Sequence, residues 1–184
     1  MTSKFRTVVH VSTLLIPFLA EATSKSTVLV ALTVVAVVYS VSEALRLRRK
    51  TLPLVTRFTL AMSRESESTH FVTAPIYLAA GVVLSLLAFP KNIAYASIMI
   101  VALGDPVASY FGRKLGRTRV KQKTLEGFAA GLIVSFAAAL FWVPPHLALA
   151  GSVAGMLLEL LTIPDDNLTI PIGAGSAMLI MGIL

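Results

Sequence analysis

Long apolar segments separated by short polar connections dominate this sequence of 184 residues. A helix needs about 20 apolar residues to cross a bilayer, with about 17 as the lower limit. Seven segments approach that length: 8–20, 27–45, 71–89, 93–110, 127–143, 147–163 and 170–184. With 56% hydrophobic and 14% charged residues, the chain is too apolar for a soluble domain. We therefore predict an all-α, polytopic membrane helix bundle of about seven transmembrane helices, forming a single domain over residues 1–184.

The absence of cysteine and the sequence of the first apolar segment exclude cysteine-based chemistry and argue against a cleavable signal. The chain contains no cysteine, which excludes disulfides, thiolate metal ligands and cysteine nucleophiles. The first segment does not resemble a cleavable signal, because Pro17 interrupts it and Glu21 stands where a small-residue cleavage site would lie. We expect it to be a short membrane helix with a kink.

The basic residues are distributed unevenly among the connections. Fourteen of the 16 lysines and arginines precede the first segment or lie in the second-to-third or fourth-to-fifth connection, while Lys25 and Lys91 lie elsewhere. Because cytoplasmic loops carry the excess of basic residues, these connections and the N-terminus are expected to be cytoplasmic and the C-terminus outside. All acidic residues except Glu21 fall on the same predicted face: Glu43, Glu65, Glu67, Asp105, Glu126, Glu159, Asp165 and Asp166. Polar chemistry is therefore predicted at the cytoplasmic face of a cell membrane.

Asp105 is the most informative of these acids. A carboxylate within a membrane helix is costly unless it pairs with a cation or coordinates an ion, so Asp105 is a candidate functional residue. It lies between Gly104 and Pro106, and a proline removes a backbone donor and restricts the residue before it. The sequence thus predicts a helix that bends or unwinds at Asp105.

A basic, glycine-containing stretch follows Asp105. Gly112 and Gly116 predict a tight turn that approaches a ligand. The next helix is predicted to begin near Thr124, so that its free amides and Lys123 form an anion site. The cations of this stretch have the chemistry that phosphate oxygens require: Arg113, Lys114, Arg117 and Arg119.

Structural roles are open for several of these residues. The basic loop could serve only to orient the chain and contact anionic lipids. Gly127 and Gly131 have the spacing of a close-packed helix pair. A salt bridge to Arg113 or Arg46 would also explain Asp105, and Glu43 and Arg46 could simply pair three residues apart on one helix. Other polar residues have similar alternatives: Glu126 could cap its helix, and His10 could be a buried, hydrogen-bonded core residue.

The central motifs resemble those of a known enzyme family. Gly104-Asp105, the turn Phe111-Gly112-Arg113-Lys114-Leu115-Gly116 and Lys123-Thr124-Leu125-Glu126-Gly127 resemble the core of the CTP-dependent polyprenol kinases. That group includes dolichol, phytol and geranylgeraniol kinases and the fungal CTP-dependent diacylglycerol kinase. Outer elements are similar as well: Glu43-Ala44-Leu45-Arg46, Thr73-Ala74-Pro75-Ile76-Tyr77-Leu78 with Gly81, and Glu159 with Asp166-Asn167-Leu168-Thr169-Ile170-Pro171. The chain resembles a small, prokaryotic-type member that lacks the additional N-terminal spans of longer relatives.

This resemblance implies transfer of the terminal phosphoryl group of CTP to an isoprenoid alcohol, with Mg²⁺ as cofactor. It implies catalytic roles for Asp105, as metal ligand or as acceptor of the hydroxyl proton, and for Lys123. The remaining roles fall into three sets: nucleotide contacts from Arg113, Lys114, Arg117, Gly112, Gly116 and Thr124; metal ligands Asp105, Glu43, Glu159 and Asp166; and a polar network of Arg46, Glu126 and Asn167. The expected partners are the bilayer, the alcohol and the nucleotide, with neither nucleic acid nor an obligatory protein partner.

Two other functions fit parts of the pattern. A cytidylyltransferase of the CDP-archaeol or CDP-diacylglycerol synthase type also needs carboxylates, Mg²⁺ and a basic cytoplasmic loop, but it releases pyrophosphate. A small membrane transporter would also carry intramembrane acids and broken helices. A transporter is expected to show paired interruptions in two halves, whereas only one interrupted site here carries a charge.

Overall fold

The computed structural model describes residues 4–48, 70–161 and 165–183, and the chain is all-α apart from one short hairpin. The elements follow in this order: α1 Lys4–Ser12, α2 Leu15–Ala22, α3 Lys25–Leu47, α4 Ala74–Ala88, α5 Lys91–Leu115, β1 Arg119–Val120, β2 Lys123–Thr124, α6 Leu125–Ala139, α7 Pro145–Leu161 and α8 Asp166–Ile183. Each predicted apolar segment coincides with one of these helices, or with α1 and α2 together. The all-α class is thereby confirmed.

Within residues 4–48, 70–161 and 165–183, three helices are long and apolar enough to cross a membrane: α3, α5 and α8. The other apolar helices have 15 to 17 residues, or form the broken α1–α2 segment. At a rise of about 1.5 Å per residue, helices of that size fall short of a hydrocarbon core of about 30 Å. Several charged residues of the predicted cytoplasmic face lie outside the described residues: Arg49, Lys50, Arg57, Arg64, Glu65 and Glu67.

The first apolar segment is broken just before its proline. Pro17 has no N–H group to donate to the carbonyl of Thr13, and that carbonyl instead accepts from Ile16 at 3.0 Å, in the tighter geometry of a 3₁₀ turn. The segment therefore consists of two short helices, as the predicted kink implies.

Helix α5 is the centre of the bundle. All ten residues from Ile93 to Ala102 are buried, and α5 contacts α1, α2, α4, α6, α7 and α8. Of the predicted alternatives at Asp105, bending or unwinding, the unwinding is wrong, because α5 is helical throughout, with Pro106 inside it. A proline removes one helical hydrogen bond, and the packing of α5 on both sides of that position maintains the helix.

Small residues allow α5 and α6 to approach closely. A Cβ atom on Gly127 would lie 2.6 Å from the carbonyl oxygen of Ala108, and one on Gly131 would lie 3.0 Å from that of Gly104. The predicted packing role of Gly127 and Gly131 is confirmed. The turn predicted at Gly112 is wrong: Gly112 is still within α5, where a Cβ atom would lie 2.8 Å from Thr124 Oγ1.

A two-residue antiparallel hairpin, β1 with β2, joins α5 to α6. Gly116 ends α5, and Lys121 occupies the left-handed region with φ of 53° at the hairpin turn. Thr124 then caps α6, as its hydroxyl accepts from Gly127 N–H at 3.1 Å. The hairpin therefore turns back onto the bundle and brings Lys123 against the helix ends.

Candidate functional site

The Lys123 ammonium meets three carboxylates from three different helices. Its Nζ atom lies 2.5 Å from Glu159 Oε1, 2.9 Å from Asp166 Oδ2 and 3.4 Å from Asp105 Oδ1. We call these four residues the carboxylate–lysine cluster. Three of the four predicted metal ligands are thus brought together, and so are both predicted catalytic residues.

The geometry of the helix ends produces this cluster. Asp105 lies inside α5, ten residues before Leu115, and Ser109 one turn later places its hydroxyl 3.4 Å from Asp105 Oδ1. Glu159 lies in the last turn of α7, and Asp166 is the first residue of α8. Both acids lie at helix ends, and Lys123 Nζ contacts the two of them together.

The cluster is largely shielded from solvent, although three of its four side chains keep a small exposed fraction. The Glu159 side chain is 1% exposed, whereas the side chains of Asp105, Asp166 and Lys123 are each about one-fifth exposed, at 20%, 21% and 18%. Burial alone would lower the pKa of Lys123, but the negative charges of Asp105, Glu159 and Asp166 outweigh it and raise that pKa above its ordinary value. Lys123 is therefore a cation at physiological pH and is unsuited to act as a general base.

His10 and Asn167 are hydrogen-bonded to each other next to Asp105. His10 Nε2 donates to Asn167 Oδ1 at 2.6 Å and lies 3.7 Å from Asp105 Oδ2. The Asn167 amide donates to the carbonyl oxygen of Ala74 at 3.5 Å. His10 is thus a buried, hydrogen-bonded residue, and it also contacts the site.

Glu43, the fourth predicted metal ligand, lies in a different set of contacts. Arg46 donates to both of its oxygens, from Nη2 at 2.6 Å and from Nε at 2.9 Å, and Val72 N–H donates to Oε1 at 2.8 Å. Arg46 also donates to the carbonyl oxygen of His70 at 2.6 Å. The Glu43–Arg46 pair holds the backbone at residues 70–72 against α3, which is the pairing alternative from the sequence.

The predicted phosphate-binding cations lie beyond the cluster, toward the end of α5. Arg113, Lys114 and Arg117 are exposed, and Lys114 Nζ lies 5.8 Å from the centre of the Tyr110 ring. Their exposure leaves them accessible to an anionic ligand at the same end of the bundle as the cluster. Arg113 and Lys114 follow Asp105 on α5 by about two helical turns.

The backbone amides at the start of α6 were predicted to form an anion site, but two of them bond to other groups of the chain. Leu125 N–H donates to Thr118 O at 3.0 Å, and Gly127 N–H donates to Thr124. Glu126 accepts from Thr118 N–H, at 3.1 Å and 3.3 Å to its two oxygens. Two of the amides expected to be free are therefore occupied by the chain itself, and Glu126 joins α6 to the hairpin.

The donor chemistry of the cluster suits Mg²⁺, which prefers carboxylate oxygens. In the described part of the chain, no group of three or more histidine, aspartate or glutamate side chains could hold a metal ion as the side chains stand. Lys123 Nζ contacts all three acids of the cluster. Glu159 Oε2 is buried and has no hydrogen-bond partner among the described residues. The carboxylates of Asp105, Glu159 and Asp166 have the donor chemistry of a divalent-cation site and would hold such an ion only if the Lys123 ammonium moved away.

Sequence reasoning missed two contacts of this site. The contact of Ser109 with Asp105 could have been predicted, because Ser109 follows Asp105 by one helical turn. The contact of His10 with Asn167 joins residues 157 positions apart, and no local pattern indicates it.

No protein-family model, no curated protein and no solved structure matches the chain.

Proposed function

We propose that this protein is a CTP-dependent lipid kinase, which transfers the terminal phosphoryl group of CTP to the hydroxyl group of an isoprenoid alcohol. The observation that carries the proposal is the carboxylate–lysine cluster, which lies at the end of an apolar helix bundle and is followed along α5 by exposed arginine and lysine side chains. Phosphoryl transfer requires charge neutralisation and alignment more than covalent chemistry. Carboxylates for a metal and cations for phosphates are the groups that this end of the bundle supplies.

The cluster residues have distinct roles in this proposal. Glu159 and Asp166 hold the cofactor, and Asp105 either joins them or accepts the hydroxyl proton. Mg²⁺ held by these residues would supply positive charge that neutralises the phosphate oxygens. Lys123, Arg113 and Lys114 bind the phosphate oxygens.

With Asp105 as proton acceptor, the transfer forms one bond to the terminal phosphorus and breaks another. The alcohol oxygen bonds to the terminal phosphorus while that phosphorus separates from the oxygen that bridges it to the β-phosphate. The hydroxyl proton passes to Asp105, and CDP leaves with the bridging oxygen. His10, 3.7 Å from Asp105 Oδ2, orients this carboxylate toward the substrate.

Substrate access supports a site at this end of the bundle. The alcohol is apolar and reaches the site from the bilayer, whereas the nucleotide comes from water. We place the cluster at the cytoplasmic face, because most lysines and arginines lie before the first apolar segment or in the second-to-third and fourth-to-fifth connections. With seven spans, the C-terminus would then lie outside. The substrate class and CTP follow from the resemblance of the central motifs to polyprenol kinases.

The direct test is a transfer assay on purified protein in detergent. CTP, ATP and GTP labelled at the terminal phosphate are each incubated with Mg²⁺ and with geranylgeraniol, phytol, dolichol or diacylglycerol. We expect labelled lipid phosphate and CDP, with CTP and a prenol of about 20 carbons as the best pair. Release of pyrophosphate from CTP with a lipid phosphate would instead identify a cytidylyltransferase, and absence of any transfer would reject the proposal.

Matched variants assign the activity to the cluster. Asp105→Asn keeps the size of the side chain but removes its charge, and we expect it to reduce transfer by about 100-fold or more. Glu21→Gln removes a carboxylate charge at the opposite end of the bundle, where Glu21 pairs with Lys91 at 2.6 Å, and should leave transfer unchanged. Equal activity of folded Asp105→Asn and wild-type protein would remove Asp105 from the site.

A further inference from the structure

Lys123 Nζ occupies the point on which three carboxylate oxygens converge. The distances of 2.5, 2.9 and 3.4 Å to Glu159, Asp166 and Asp105 are those of ion pairs with an ammonium group. A magnesium ion bound by the same oxygens would lie about 2.0–2.1 Å from each. An ammonium and a divalent cation cannot both take this position, so occupation by one excludes the other.

One feature shows that the ammonium does not satisfy every atom of the cluster. Glu159 is 1% exposed, and its Oε2 atom has no hydrogen-bond partner within the described ranges. A buried carboxylate oxygen without a partner is costly, and a divalent cation bound at the cluster would supply positive charge beside it.

The Lys123 side chain is able to leave this position without unfolding the hairpin. Its backbone is held on both sides, because Lys121 Nζ donates to Leu161 O at 3.1 Å and Thr124 caps α6. The ammonium itself is attached through a flexible four-carbon stem, and the side chain is 18% exposed. A change of rotamer therefore moves the charge out of the cluster while β2 stays in place.

We infer that Lys123 acts as a stand-in for the metal: it holds Asp105, Glu159 and Asp166 together in the metal-free protein and yields its place when a divalent cation binds. The released ammonium is then free to bind the phosphates of the nucleotide. This second half of the inference rests on the proposed function. Lys123 thereby couples entry of the metal to binding of the triphosphate. Without nucleotide to receive the ammonium, the lysine competes with the metal.

Metal binding without nucleotide or lipid tests the first half directly. Free Mn²⁺ is measured by electron paramagnetic resonance during titration of wild-type protein, Lys123→Met and Lys121→Met. If Lys123 closes the site in nine molecules of ten, its removal should tighten the apparent Mn²⁺ affinity about tenfold. Lys121→Met removes a charge two residues away in the same hairpin and should change the affinity by less than about twofold, as expected for a screened, exposed charge.

A measurement on the wild-type protein covers the case in which Lys123→Met does not fold. Amine acetylation is followed by mass spectrometry with and without saturating Mg²⁺, with Lys121 as the internal reference. We expect Mg²⁺ to raise the reactivity of Lys123 severalfold and to leave Lys121 unchanged. Unchanged or lower reactivity of Lys123, or equal Mn²⁺ affinities of the folded variant and the wild type, would overturn the inference.

These outcomes are separate from those of the kinase assay. Competition between Lys123 and Mn²⁺ in a protein that transfers no phosphate would retain the metal half and reject the proposed function. Phosphate transfer by a protein whose Lys123 shows no competition would do the reverse. The proposed binding of the released Lys123 ammonium to the phosphates is tested by adding CTP. CTP should weaken the competition, so that the Mn²⁺ affinities of the wild type and Lys123→Met become similar. A difference between the two affinities that CTP does not change would reject this part of the inference.

Discussion

His10 Nε2 donates a hydrogen bond of 2.6 Å to Asn167 Oδ1, which joins the first helix of the chain to the last. Asn167 is the second residue of α8, and its neighbour Asp166 belongs to the carboxylate–lysine cluster. The bond therefore positions the start of α8 relative to α1 and α5. Stability and site geometry are linked at this contact.

Removal of the Asn167 amide should destabilise the protein. Asn167→Ala leaves the buried His10 Nε2 without its acceptor, which costs about 1–3 kcal/mol. We expect a lower melting temperature in detergent, measured by intrinsic fluorescence. Asn92→Ala, which changes an exposed asparagine at the start of α5, is the control and should melt with the wild type. Equal melting of the two variants would show that the bond contributes nothing.

Glu159→Gln should separate activity from stability. The variant removes one of three like charges, and the glutamine can still accept from Lys123, so we expect a loss of stability well below that of a broken buried ion pair, about 3–5 kcal/mol. Loss of a charged ligand should nevertheless reduce phosphate transfer about 10- to 100-fold. Melting curves and the transfer assay are run on the same preparations, with Glu21→Gln as the control. A variant that loses both stability and activity would indicate a structural role for the glutamate.

Gly127→Ala should disturb the contact between α5 and α6. Its Cβ atom would lie 2.6 Å from the Ala108 carbonyl oxygen, which is backbone and cannot rotate away. We expect a loss of about 1–3 kcal/mol in unfolding free energy from this overpacking. In Gly182→Ala the nearest atom is 3.8 Å away, and the better helix propensity of alanine should leave stability equal or slightly higher. The opposite order of the two variants would contradict the close packing.

The raised pKa of Lys123 predicts a loss of stability in alkali. A lysine whose pKa is raised on folding contributes its full stabilisation below the unfolded pKa, and this contribution is lost as the pH rises through the folded value. The contribution of Lys123 to the melting temperature should therefore be complete and independent of pH between pH 6 and 9, and the wild type should lose stability above about 10.5, the ordinary lysine value. Lys123→Met lacks this group and should show a smaller decrease over the same range. Parallel curves for both proteins would contradict the assignment.

Local sequence features predicted the helices well. Length and hydropathy of the apolar segments are properties of neighbouring residues, and each predicted segment coincides with helical structure. The start of α6 near Thr124 and the close packing through Gly127 and Gly131 were readable for the same reason: a capping hydroxyl and small residues one turn apart act over a few positions.

Tertiary structure decided how the polar residues combine. The sequence presented Glu43, Asp105, Glu159 and Asp166 as equivalent acids, and only helix packing directs three of them to Lys123 and leaves Glu43 with Arg46. It also kept α5 helical through Pro106, because contacts along the helix compensate for one lost hydrogen bond. The sequence by itself determined an apolar, all-α chain whose charges concentrate in a few connections, since hydropathy acts along the chain. Which charges meet depends on contacts between residues up to 157 positions apart, and these exist only in the folded bundle.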